Sequence, residues 1–114
     1  MTITPQVTYR DFSAPQLAAD RIQERVDRLE QIFPRINSVH VVAEEANRSR
    51  TKGKLFQFHI DVSVPGGELA VSNDQHDRHA HEDFFVAMRD SFNAMERQLK
   101  AWAQKHRGEV KTHE

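Results

Sequence analysis

The chain contains no cysteine, which excludes a disulfide framework and a thiolate zinc site. No apolar run is long enough to span a bilayer, and residues 1–10 lack the apolar block of a secretory signal. A reducing cytoplasm is therefore the expected compartment, and a membrane is not an expected partner. Glycine and proline are scarce, at four each, and neither an internal repeat nor a low-complexity linker interrupts the chain. The 114 residues fit a single domain over residues 1–107, with a short flexible tail at 108–114. An excess of charge is missing too. Sixteen basic residues stand against 17 acidic ones, for a net charge of -1, so indiscriminate binding to DNA is not expected. Also absent are a Gly-rich phosphate loop, a nucleophile elbow and a helical His-Glu-x-x-His motif. Nothing therefore points to an enzyme or to a cofactor.

What is present begins with the alternation Phe56, Phe58, Ile60, Val62, Val64, with Gln57, His59, Asp61 and Ser63 between them. A period of two predicts a strand with one buried and one wet face. Pro65-Gly66-Gly67 predicts a turn, and residues 68–72 a hairpin partner. Residues 3–9 predict a first strand, with Pro5 at its irregular start. Residues 36–45 predict another, with Val39, Val41 and Ala43 on one face.

Two helices complete the pattern. The first is expected from about Ala14 to Phe33, opened by a Ser13/Gln16 capping box with Pro15 in the first turn and stopped by Pro34. Its apolar stripe is Ile22, Val26, Leu29 and Phe33. The second is expected from Glu82-Asp83, where acidic side chains suit the positive end of the helix dipole, to Gly108. Its stripe is Phe85, Met88, Phe92, Met95, Leu99 and Trp102. Strand, helix, three strands, helix predicts a two-layer α+β domain: a four-stranded mixed sheet with both helices on one face. The other sheet face stays wet.

The charges are unevenly placed. At about 100° per residue, Arg21, Arg25 and Arg28 line one flank of the first helix, while Asp20, Glu24, Asp27 and Glu30 take the other flank and the back. A solvated surface with pairs such as Glu24 and Arg28 is the bland expectation. On the second helix Arg89, Arg97 and Lys100 lie on an outer side. If the helices are neighbours, these cations form one stripe that suits phosphates, without any reading of base sequence. A second concentration, His76, His79 and His81 among Asp74, Asp77, Glu82 and Asp83, matches no closed metal site. As an alternative function, this loop (74–83) would serve a protein-interaction or metal-sensing module.

Several segments resemble the ribosome hibernation-promoting factors, also called ribosome-associated inhibitor A or sigma-54 modulation proteins. They are Leu29-Glu30-Gln31-Ile32-Phe33-Pro34-Arg35-Ile36, the turn Pro65-Gly66-Gly67-Glu68-Leu69, Asp83 with Phe85-Val86-Ala87-Met88, and Glu96-Arg97-Gln98-Leu99-Lys100. The resemblance implies a β-α-β-β-β-α fold like that of double-stranded-RNA-binding domains. It implies a factor, monomeric off the ribosome, that binds 16S ribosomal RNA on the small subunit and the 70S ribosome, and blocks the messenger and transfer RNA sites. The family's basic positions fall on Arg25, Arg28 and Arg35, and on Arg97, Lys100 and Lys105. Positions that are usually lysine in the family are Ala94, Ala101 and Ala103 here, which implies fewer phosphate contacts and a weaker salt dependence.

Overall fold

A computed structural model describes residues 3–10, 12–47, 54–72 and 83–112. Residues 48–53 and the histidines at 76, 79 and 81 lie outside the described residues. The elements run β1 (Gln6–Arg10), α1 (Ala18–Ile32), β2 (Ser38–Asn47), β3 (Lys54–Val64), β4 (Gly67–Ser72) and α2 (Phe84–Thr112). The sheet order is β1-β2-β3-β4. β1 pairs parallel to β2, and the other two pairings are antiparallel. This is the expected two-layer α+β domain with a mixed sheet.

The alternation in β3 sets the core. Phe58, Ile60, Val62 and Val64 are buried. Opposite them in register stand Ala43, Val41 and Val39 of β2, and Val71 and Leu69 of β4. A slip of one residue would move this whole set to the wet face, so hydrophobic burial itself locks the pairing. Ile22, Val26 and Leu29 of α1 and Phe92, Met95 and Leu99 of α2 complete the same cluster. The opposite face carries His40, Val42, Glu44, Gln57, His59 and Ser72, all partly or fully exposed. There His59 Nδ1 lies 2.6 Å from Ser72 Oγ, and Nε2 lies 3.2 Å from Asp61 Oδ1. Between β3 and β4, Pro65 leads into Gly66 at φ +88°, a positive angle that suits glycine after a turn proline.

Four expectations need correction. α1 begins at Ala18, not Ala14, and has no side-chain cap. Instead the Ala18 N–H donates to the Pro15 carbonyl at 3.1 Å, and Leu17 takes a left-handed φ of 72°. The backbone turn thus does the work assigned to Ser13, leaving Leu17 54% exposed. At the start of α2 the stripe is shifted by one residue. Phe84 and Ala87 are buried while Phe85 is only half-buried, because Phe84 lies one turn before Met88 and meets Phe12, Phe56 and Phe58. α2 does not stop at Gly108 but continues to Thr112. Glycine ends a helix when it takes the left-handed C′ position; within a helix it only weakens it, by about 1 kcal/mol. Residues 3–5 belong to no strand: the Ile3 N–H donates to Glu30 Oε1 at 3.0 Å, and the Ile3 carbonyl accepts from Gln23 Nε2 at 2.9 Å.

The remaining boundaries follow from local chemistry. Asp83 Oδ1 accepts from the N–H groups of Phe85 at 2.8 Å and Val86 at 3.1 Å, satisfying donors that the first turn of α2 leaves free. α1 ends at Ile32, with Phe33 as an extended C-cap directly before Pro34. Phe92→Ala is expected to cost about 3–5 kcal/mol, since the ring is fully buried and would leave a cavity. Urea denaturation measures this directly, and an unchanged midpoint would contradict the core described.

Candidate nucleic-acid interface

α1 and α2 lie side by side and run in the same direction. Arg25 meets Asn93, Arg28 meets Glu96, and further along both segments Phe33 packs edge-on against Trp102 at 5.0 Å. Helical spacing explains who faces the seam. Arg21, Arg25 and Arg28 are separated by four and three residues. Arg89, Asn93, Glu96 and Lys100 are separated by four, three and four, so each row stays on one side of its helix.

The seam opens into two shallow clefts. One, of about 360 Å³, is lined by Leu17, Phe85 and Met88 on its apolar side and by Arg21, Arg25, Glu24 and Arg89 on its polar side. The other, of about 400 Å³, is lined by Arg28, Gln31, Ile32, Glu96 and Lys100. Between them sits the Glu96 carboxylate, its side chain 10% exposed. Its Oε1 accepts from Arg28 Nη2 at 3.2 Å. Its Oε2 lies 3.0 Å from Arg28 Nε and 3.2 Å from Arg25 Nη2, within ion-pair reach but without an aligned hydrogen bond. Arg25 Nη2 also donates to Asn93 Oδ1. Burial lowers the Arg25 pKa from its ordinary value, and Arg28 and Arg89 push the same way while Glu96 opposes them.

The arginines therefore differ in kind. The Arg25 side chain is 14% exposed and serves as a strut between the helices, whereas Arg28 is 56% exposed at the mouth of the second cleft. Arg28 does not pair with Glu24, as the simple helix-surface expectation had it. Glu24 is beside Arg21 at 3.8 Å, and Arg28 crosses to Glu96 because a carboxylate almost wholly withdrawn from water demands more compensation than an exposed one. Arg89 is 3.3 Å from its neighbour Asp90. Among the described residues, Arg35, Arg97, Lys100 and Lys105 have no ion-pair partner.

Placement divides the candidates. Arg21, Arg25, Arg28, Arg89 and Lys100 gather at the seam, and Arg97 lies next to it on the outward side of α2. Arg35 is exposed in the turn between α1 and β2. Lys105 is about 140° around α2 from Lys100, at 100° per residue, and faces away from the seam. Glu96 and Asn93 are the residues that sequence reasoning missed. Their signal was the shared row with Arg89 and Lys100. Among the described residues no group of three histidines or acids is placed to hold a metal ion, and no helix is long and apolar enough to cross a membrane.

This geometry and strand order define a β-α-β-β-β-α domain with a cation-bearing helix pair. The sequence profile of the family described as Sigma 54 modulation protein / S30EA ribosomal protein matches residues 6–107. The chain belongs to that family of ribosome-associated modulation proteins. Similar solved structures include the N-terminal domain of Protein Y from Thermus thermophilus, at 20% identity and a TM-score of 0.63 over 90% of this chain and 99% of that one. Another is a ribosomal subunit interface protein from Coxiella burnetii, at 13% identity and a TM-score of 0.69 over 87% and 96%. At such identities the likeness is one of fold. Among curated proteins, none matches the sequence significantly.

Removing the strut should cost more than removing the exposed guanidinium. Arg25→Ala is expected to lose about 1–3 kcal/mol, because it takes a buried partner from Glu96. Arg28→Ala should lose under about 1 kcal/mol, as for an exposed ion pair. Chemical denaturation of the two variants side by side checks the order.

Proposed function

We propose that the chain is a cytoplasmic ribosome hibernation factor that binds 16S ribosomal RNA on the small subunit through the α1–α2 seam and obstructs the messenger and transfer RNA sites. The observation that carries this reading is the convergence of Arg21, Arg28, Arg89 and Lys100 from two parallel helices on one surface. Membership of a ribosome-associated family supports it. Phosphate oxygens are the natural counterparts of such a surface, and guanidinium groups meet them through paired N–H donors. The helices hold the cations at fixed separations, so a folded RNA is selected by the shape of its backbone and not by base identity.

The function is steric and electrostatic and involves no chemical step. Arg97 and Lys100 stand without carboxylate partners among the described residues and serve as direct phosphate contacts. Arg35 extends the surface beyond α1. Lys105, on the far flank of α2, meets a different stretch of RNA. Arg25 orients the seam from within.

Co-sedimentation with 70S ribosomes across a potassium chloride series tests the reading. Binding should weaken as salt rises. Arg97→Glu with Lys100→Glu should lower affinity and reduce the slope of log K against log salt by about two, one for each lost phosphate contact. Binding that ignores both salt and the double substitution would overturn it.

A further inference from the structure

We propose that Glu96 occupies the place of an RNA phosphate: in the free protein its carboxylate closes on Arg28, and on binding Arg28 exchanges that carboxylate for a phosphate oxygen while Arg25 keeps Glu96 in place. This rests on the phosphate-binding reading of the seam and adds its internal competitor.

Three observations carry it. First, Arg28 donates from Nη2 to Glu96 Oε1 at 3.2 Å while its Nε lies 3.0 Å from Oε2 without an aligned hydrogen bond, so the guanidinium edge that can meet a phosphate with two parallel donors is only half used by the carboxylate. Second, the partners are unequally held. Arg25 is half-buried and has Asn93 as a second acceptor, whereas Arg28 is exposed and has Glu96 alone among the described residues. The acids of α1 do not compete for it. Glu24 lies beside Arg21, Asp27 accepts from Gln23, and Glu30 accepts from Ile3. Third, the cleft of about 400 Å³ beside this pair is lined by Lys100 and Gln31 as well as Arg28. An oxyanion seated there meets two cations and an amide. Arg28 is long enough to swing toward it by rotamer change, and the carboxylate left behind still faces Arg25.

Glu96 therefore lowers the seam's affinity in exchange for a seam that is already ordered. Glu96→Gln keeps the shape and removes the negative charge, so Arg28 no longer has a charged competitor. Binding of a labelled short RNA duplex, followed by anisotropy across a potassium chloride series, reads the effect. The Glu96→Gln variant should bind about fivefold tighter than the wild type, the worth of one half-exposed ion pair, with a salt slope steeper by up to about one. The gain should vanish in the Arg28→Ala background, which a general change in net charge would not do. Thermal melting of each variant establishes that it is folded at the assay temperature.

Equal or weaker duplex binding by folded Glu96→Gln overturns the exchange, and so does a gain that persists without Arg28. Absence of duplex binding by every variant also overturns it, because the released guanidinium then meets no phosphate. Co-sedimentation of the wild type with 70S ribosomes runs in parallel. If it fails while the duplex pattern holds, the ribosomal reading falls and the exchange stands; if it succeeds while Glu96→Gln behaves as wild type, the exchange alone falls.

Discussion

A nine-tenths buried carboxylate held between two arginines fixes how the two helices meet. α1 reaches the core through a narrow row, Ala18, Ile22, Val26 and Leu29, which sets its height above the sheet but not its rotation against α2. Glu96 supplies the missing constraint. A charge so far from water demands compensation, and Arg25 and Arg28 provide it only when the helices stand in one register. The orientation of the exposed cations follows from that requirement, so the same contact that holds the fold also aims the surface.

Charge is sorted by use as well as by position. On the far side of α1, Glu30 and Gln23 secure the backbone of Ile3, and Asp27 holds Gln23. Those groups are committed to tying down the start of the chain. Toward α2 the same helix presents arginines. A chain with a net charge of -1 thus carries a local positive field, and local fields rather than totals steer an approaching polyanion.

Much of this was legible in the residues. The alternation from Phe56 to Val64 has a single reading, because apolar side chains two apart can share a face only in a strand. Pro34 and Asp83 mark helix ends by backbone chemistry that needs no tertiary context. Other features depend on neighbours far away in sequence. Ser13 has the chemistry of a cap, yet the turn at Pro15–Ala18 pre-empts it. Phe84 and Phe85 are equivalent as residues, and only the aromatic cluster of Phe12, Phe56 and Phe58 decides which is buried. The charge-bearing faces of α1 and α2 could each be drawn from spacing alone. The partnership of Arg25 and Arg28 with Glu96 spans 68 residues for the Arg28 contact, and no local pattern encodes it.

Trp102 sits where three parts of the molecule converge. Its ring meets the edge of Phe33 at 5.0 Å and stacks on His106 at 4.2 Å. A Cβ added at Gly67, the first residue of β4, would lie 3.6 Å from the indole nitrogen. As the chain's sole tryptophan, it is a native fluorophore at the meeting point of the hairpin and both helices. Its emission therefore offers an unlabelled optical gauge of whether that corner stays closed while the cationic seam is occupied.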